Sequence, residues 1–256
     1  MKTKHTIAAF SVAVLTMVAV NGLAADGPED KWQFGVTLPL WAPAIDGNVT
    51  VKGNQRDVSI SFDELKDHLD ASFSLGLEAR KGKLGFYTGV GYMKFSGGNG
   101  TVDDELKFLI LDGGVSYQLV KTAEAHPFVL EATAGVRYWG VKNDLTIKDS
   151  LGTVLFDGSN DQDLVDPMIG LRGSKFFTRK LHLDFAGDVG GFGISDNQAD
   201  LDWSTTGLVS YDFARWFTLS GGYKALALDV SKGSGSSENG VDIIMHGFLI
   251  TAKFKF

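Results

Sequence analysis

The sequence predicts an all-β fold, an antiparallel transmembrane β-barrel of ten strands, from three observations. Apolar and polar residues alternate along most of the chain with a period of two, which is typical of strands that have two different faces. The chain has 32 glycines but five prolines, which favours many strands joined by tight turns. After residue 24, no apolar run reaches the roughly 18 residues that a membrane-spanning helix needs.

The first 24 residues have the organisation of a secretory signal peptide. Lys2 and Lys4 precede an apolar run over residues 6–20, and Ala24 ends a short run of small residues suited to cleavage. We therefore predict a leader over residues 1–24 and one outer-membrane β-barrel domain over residues 25–256. A buried N-terminal helix is the less favoured alternative. Removing the leader takes the net charge from −7 to −9, which argues against binding to nucleic acid.

The composition excludes several kinds of chemical site. The chain has no cysteine, so it can form neither a disulfide nor a thiolate metal site, and it has no cysteine nucleophile. Asp157, Asp161 and Asp163 could hold a cation, but solvated loop carboxylates explain this pattern more simply. We expect no cofactor and no metal site.

Ten segments carry the strand pattern. They cover residues 32–40, 72–80, 84–92, 109–119, 128–147, 163–177, 181–189, 202–211, 217–224 and 247–256. Short turns near residues 82, 123, 179 and 214 alternate with longer loops over residues 41–70, 96–102, 150–160, 195–198 and 231–240. This alternation is expected of a barrel with one end in the periplasm and the other outside the cell. Pro39 and Pro43 are expected to end the first strand, because proline cannot donate to a β-ladder.

The connection over residues 41–70 contains a predicted hairpin and a predicted helix. Two β-branched runs flank Gly53 and Asn54, which favours a hairpin turn there. Ser61 is a predicted N-cap for a helix over residues 62–69, with Glu64 in the capping-box position. The helix is amphipathic and acidic, and we expect it to cap the barrel. The strand count becomes twelve if the hairpin joins the wall, and eight if two predicted strands merge.

The direction of the two faces decides between a soluble and a membrane barrel. Charged residues recur on the polar face and are almost absent from the middle of the apolar face. Aromatic residues such as Trp32, Tyr92 and Tyr138 cluster near strand ends, as they do at membrane interfaces. The sequence therefore predicts that the apolar face contacts lipid and the polar face lines the lumen.

The predicted lumen contains six acidic and six basic side chains. Unpaired charges in a narrow lumen are costly, so we expect an ion-paired plug, with a thin water-filled passage as the alternative. The predicted lumen charge network consists of Glu78, Arg80, Asp112, Glu131, Arg137, Asp166, Arg172, Asp184, Asp188, Lys224, Lys253 and Lys255.

The last ten residues form a strand whose outward face is aromatic and aliphatic and ends in Phe254 and Phe256. With the signal peptide and the alternating strands, this strand makes the chain resemble small Gram-negative outer-membrane β-barrel proteins of the broad OmpA/OmpW-like superfamily. The resemblance implies residence in the cell outer membrane, contact with its lipid and lipopolysaccharide, and recognition of Phe254 and Phe256 by the barrel-assembly machinery. Leu249 and Thr251 depart from the polar and glycine positions of that assembly signal.

The sequence favours a non-enzymatic structural or surface role, with no catalytic residue. The alternatives are a narrow channel for small solutes and, less favoured, a lipid-modifying enzyme. Such an enzyme needs a histidine beside a serine nucleophile and an orienting acid. No histidine lies in a His-any-Ser pattern. His182 shares the inward face with Asp184 but lies near an inner turn, and His246 is predicted to face lipid. The oligomeric state is left open.

Overall fold

The computed structural model describes residues 31–98, 102–123, 125–148 and 154–256. The predicted leader over residues 1–24 lies outside them. The strands are β1 (Gln33–Val51), β2 (Asn54–Ile60), β3 (Leu69–Lys81), β4 (Leu84–Gly98), β5 (Val102–Lys121), β6 (Phe128–Lys148), β7 (Val154–Phe176), β8 (Leu181–Gly191), β9 (Leu201–Ala214), β10 (Phe217–Lys232) and β11 (Asn239–Lys255), with one α-helix, α1 (Phe62–Asp67).

Ten of these strands, all except β2, form a closed antiparallel barrel. Each of β3 to β11 pairs with its neighbour in sequence, and β1 closes the ring by pairing with both β3 and β11. The ten-strand prediction is confirmed. We call the half of the barrel nearer the short turns, where β1 begins and β11 ends, the inner half, and we call the other half the outer half. No α-helix in the described ranges is both long enough and apolar enough to cross a membrane.

The hairpin and the helix of the first long connection are also present. The hairpin turns at Lys52 and Gly53, whose φ angles of 49° and 73° suit the tight turn that matches strand twist. Its return strand β2 pairs with β1 over the outer part of that strand, and the wall keeps ten strands. The capping box between Ser61 and Glu64 is present. The helix ends at Asp67, two residues earlier than predicted, because β3 begins at Leu69.

The prediction that Pro39 and Pro43 end the first strand is wrong. Strand β1 passes through both prolines and stays paired with β11 to Thr50. Phe34 exchanges backbone hydrogen bonds with Phe256, the residue that follows β11. The backbone N–H and C=O groups of the even-numbered residues of β1 therefore point towards β11, and those of the odd-numbered residues point towards β3. The N–H that each proline lacks would point towards β3, so its absence removes no hydrogen bond from the β1–β11 ladder.

The same prolines explain why the β1–β3 ladder is short. It runs from Gln33, opposite Arg80, to Thr37, opposite Gly76. Beyond it, the Ser74 hydroxyl donates to the Pro39 carbonyl at 3.3 Å. From Ile45 outward, β1 pairs with β2 instead.

The predicted loops over residues 96–102 and 150–160 are too long. The β4–β5 ladder continues to Gly98 opposite Asp103, and β7 begins at Val154, not near residue 163. These outer segments are rich in Asp, Lys and Asn. Without knowledge of the strand pairing, this composition indicates loops. As a result, β4 to β7 extend further outward than predicted.

Candidate functional site

The lumen is the candidate site, and its inner half is filled with charged side chains, which we call the charged layer. All twelve predicted lumen residues lie on the inward face. Asp188 and Lys255 are half-buried and the other ten are buried. The period of two along each strand places them there, because each lies an even number of residues from other inward positions of its strand.

One group of these residues surrounds Arg172. The Arg172 side chain donates to Glu131 at 2.7 Å, to Glu78 at 2.5 Å and to the Ser116 hydroxyl at 2.9 Å. Arg80 forms a second ion pair with Glu131, and Lys253 pairs with Glu78 at 2.9 Å. We call Glu78, Arg80, Glu131, Arg172 and Lys253 the Arg172 cluster. Its three cations and two anions come from four strands, β3, β6, β7 and β11, so the cluster ties the wall together across the lumen.

A second group surrounds Arg137 and lies further outward. Arg137 donates to Asp112 at 2.7 Å, to Asp202 at 2.6 Å and to Asp188 at 3.1 Å. The remaining Asp188 oxygen accepts from the Ser204 hydroxyl at 2.8 Å. We call Asp112, Arg137, Asp188 and Asp202 the Arg137 cluster. One guanidinium with three carboxylates makes its formal charge negative.

Lys224 and Asp166 occupy the outer edge of the charged layer. The Lys224 ammonium lies 5.3 Å from the centre of the Trp41 ring, within the range of a cation–π contact. Asp166 accepts a hydrogen bond from the backbone N–H of Ala199 at 2.8 Å, which fixes the loop between β8 and β9 over the barrel. Asp166 is therefore used to position a loop.

Asp184 and Lys255 belong to a third group at the inner mouth. Asp184 accepts hydrogen bonds from Ser174 and Ser210 and lies 3.3 Å from His182 Nε2. Lys255 pairs with Asp212 at 2.8 Å. The His182 Nδ1 atom is 3.7 Å from Asp212, too far for a hydrogen bond. The predicted network does not include Asp212 or Asp202, which pair with Lys255 and Arg137.

The outer half of the lumen is filled with apolar side chains, which sequence analysis also missed. The period of two indicates these side chains, because the inward positions continue outward along each strand. Asp112 is followed outward on β5 by Ile110 and Phe108, and Arg137 is followed on β6 by Trp139. We call these residues the apolar layer, which contains Trp41, Ile45, Leu65, Met93, Phe95, Leu106, Phe108, Ile110, Trp139, Leu164, Leu226, Leu228, Val230, Ile243, Met245 and Leu249.

The exterior of β4 to β6 changes in the opposite sense. Around the inner half it is apolar, with residues such as Phe86, Leu111 and Val136 between 41% and 54% exposed. Around the outer half the outward positions become charged, and Lys94, Glu105, Lys107, Lys142 and Asp144 form ion pairs there. The inner half thus has the polarity of a membrane barrel, and this part of the outer half has that of a barrel in water.

Little space remains between the two clusters. A cavity of about 20 Å³ lies between Arg172 and Arg137 and is also lined by Tyr87, Thr133 and Asp188. This is room for about one water molecule. In the described part of the chain, no three His, Asp or Glu side chains are grouped in a way that could hold a metal ion.

Comparison with known proteins gives the fold. The outer membrane protease OmpT from Escherichia coli superposes with a TM-score of 0.51 at 10% identity, over 89% of this chain and 97% of that one. The chain has the fold of an outer-membrane β-barrel. The translocator domain of the autotransporter NalP from Neisseria meningitidis gives 0.45 at 12% identity, over 91% of each chain, and Neisserial surface protein A gives 0.28 at 13% identity, over 88% of this chain and 97% of that one.

The likeness extends to the fold and not to an activity. No family model matches the chain, and neither does any curated protein. At 10% identity the resemblance to OmpT carries over no residue role. The barrel fold and the apolar exterior of its inner half agree with the predicted location in the cell outer membrane.

Proposed function

We propose that this outer-membrane barrel is a non-enzymatic surface protein whose lumen is closed and does not conduct. The observation that carries the proposal is the stacking of two filled layers along the lumen, the charged clusters and the apolar layer. Both layers would have to open at once for a solute to cross.

The charged layer resists opening because two buried arginines each bind several carboxylates. Arg172 and Arg137 each contact at least two carboxylates, and both are buried. Removing one partner from such a buried network leaves a charge uncompensated, which costs about 3–5 kcal/mol. The side chains are therefore held in one arrangement and do not move aside easily.

The apolar layer excludes ions for a different reason. Phe108, Trp139, Leu226 and Met245 are at most 2% exposed and offer no polar atom to replace the water around an ion, apart from the Trp139 indole N–H. An ion that loses its hydration without replacement meets a barrier of many kcal/mol. This favours a closed barrel over the narrow channel.

The histidines give little support to an enzymatic role. His182 is 3% exposed at the inner mouth, away from the outer rim. His246 lies on the exterior, where it bonds to Asp46 and Tyr223. Neither arrangement contains a serine bonded to histidine, which acyl transfer of the common kind requires.

The test is conductance of the purified protein in planar bilayers, with a general porin in the same bilayers as positive control. We expect no single-channel steps from the wild-type barrel. We also expect silence from Phe108→Ala, because the charged layer stays closed, and from the exterior control Val136→Ala. Reproducible steps from the wild-type protein would overturn the closed barrel in favour of the channel. Hydrolysis of outer-membrane lipid by the wild-type protein, absent in His182→Ala or His246→Ala, would overturn the non-enzymatic role.

A further inference from the structure

Three lysines stand side by side on the exterior of the outer half. Lys94 of β4 is directly opposite Lys107 of β5, and Lys107 is directly opposite Lys142 of β6. They point outward, because the residues on either side of Lys94 and Lys107 belong to the apolar layer. Like charges in directly opposed positions on neighbouring strands destabilise a sheet. We call Lys94, Lys107 and Lys142 the lysine row.

Carboxylates compensate the lysine row on its outer side. Glu105 pairs with Lys94 at 2.6 Å and also pairs with Lys107. Asp144 lies 3.6 Å from Lys107 and 3.9 Å from Lys142. Hydrogen bonds from Lys107 and Lys94 lower the pKa of the Glu105 carboxyl, so it is ionised at neutral pH. Each ammonium has three protons to donate, and the three side chains are 31–45% exposed, so they can bind a further anion.

The membrane side of the lysine row is apolar. One outward position closer to the membrane, Tyr92 is opposite Leu109, and the next step inward brings Val90 opposite Leu111. Leu111 is 41% exposed. The row therefore lies directly above the lipid-contacting exterior, at the height where lipid headgroups meet water. An anion attached to acyl chains could contact both surfaces at once, whereas a free anion could contact the lysines alone.

We propose that the lysine row binds the phosphate groups of a phosphorylated outer-leaflet glycolipid, the lipid A part of lipopolysaccharide. In this arrangement the ammonium groups contact phosphate and the acyl chains lie along Tyr92, Leu109 and Leu111. A cation close to an anionic membrane surface favours binding to that surface. The neighbouring carboxylates offset part of this gain, so the row as a whole contributes a moderate increase in affinity.

The experiment titrates the purified full chain in detergent micelles with diphosphorylated lipid A and with lipid A freed of phosphate. The test variant replaces all three lysines, Lys94→Gln, Lys107→Gln and Lys142→Gln. The matched control replaces three exposed lysines at the inner turns, Lys81→Gln, Lys83→Gln and Lys121→Gln. We expect the test variant to bind the diphosphorylated lipid about tenfold more weakly, the control to bind like wild type, and the dephosphorylated lipid to show no such difference.

A single further variant separates charge from fold. Glu105→Gln removes the carboxylate that competes with phosphate and should tighten binding of the diphosphorylated lipid, which a fold defect would not do. Unchanged affinity in the lysine variant would overturn the proposal, as would an equal loss for both lipids. Competition by millimolar inorganic phosphate that displaces the lipid completely would also contradict it, because the acyl contacts would then contribute nothing.

Discussion

Arg137 and Asp202 lie 2.6 Å apart at the boundary between the two layers of the lumen. The second oxygen of Asp202 accepts from the Trp139 indole at 2.9 Å. Arg137 and Trp139 are successive inward residues of β6, one in the charged clusters and the other in the apolar layer. One carboxylate on β9 thus binds residues of both layers on β6, although the predicted lumen network did not include it.

The first prediction concerns this carboxylate. Asp202→Ala should lower the free energy of unfolding by about 3 kcal/mol, because it removes an acceptor from two buried donors. Arg137 keeps Asp112 and Asp188, which limits the loss. Urea unfolding in lipid vesicles, followed by tryptophan fluorescence, measures the effect. Asp163→Ala is the matched control, since it removes an exposed carboxylate from Tyr138 and should cost less than about 1 kcal/mol. Equal losses would contradict a special role for Asp202.

The barrel and its charged lumen were predictable, because the period of two along a strand determines which residues share a face. Glu78 and Arg80, or Asp184 and His182, are two residues apart and had to point the same way. The capping box at Ser61 was predictable for a similarly local reason, since its partner is three residues away.

The apolar layer was not predictable by the same reasoning. Alternation groups residues by face, but it does not determine whether a face contacts lipid, water or the lumen. On β5 the inward parity stays constant from Ser116 through Asp112 to Ile110 and Phe108, while the surroundings of the exterior change from lipid to water. A rule that the apolar face contacts lipid holds for one part of this strand and fails for the other. Likewise, β1 can continue through Pro39 because the N–H that proline lacks would point away from β11. The direction of that N–H is known only once the strand pairing is known.

The second prediction concerns close packing between neighbouring strands at Gly114. A Cβ built there would meet the Ala134 carbonyl oxygen at 2.4 Å and the Tyr87 hydroxyl at 2.6 Å. Gly114→Ala should therefore lower the free energy of unfolding by about 1–3 kcal/mol, because backbone must move. Gly221→Ala is the control, since a Cβ there meets nothing within 4 Å. The same urea titration compares the two variants. A loss at Gly221 as large as that at Gly114 would exclude packing as the cause.

The third prediction is a pH dependence at Glu105. Its pKa in the folded protein is lowered below its ordinary value of 4.5 by hydrogen bonds from Lys107 and Lys94. A lowered pKa gives stability that is present above the unfolded pKa and is lost as the pH falls through the folded one. Wild type should therefore be more stable than Glu105→Gln at pH 7, and the difference should shrink as the pH falls below 4.5 towards the lowered pKa of the folded protein. The measurement is urea unfolding of both proteins at pH 7 and at a series of pH values below 4.5. A difference that persists at low pH would mean that packing, not charge, is responsible.

The last prediction concerns Phe256 and tests the expected assembly signal. The backbone N–H of Phe256 donates to the Phe34 carbonyl at 2.9 Å, and that of Phe34 donates to the Phe256 carbonyl at 3.1 Å. The Phe256 side chain itself is 76% exposed, so it contributes little to packing within the barrel. An exposed aromatic side chain beside a closing pair of backbone hydrogen bonds is accessible to another protein before the barrel closes.

Deleting Phe256 should accordingly impair assembly into the outer membrane while export to the periplasm continues, and Phe256→Ala should impair it nearly as much. The alanine variant keeps both backbone hydrogen bonds and loses the aromatic ring alone. Phe34→Ala, which removes a half-exposed ring from the opposing strand, should assemble normally. Fractionation of the envelope, followed by the heat-dependent gel shift of folded barrels, measures assembly. Normal assembly of Phe256→Ala beside failure of the deletion would assign the effect to barrel closure, and recognition of the ring would be wrong.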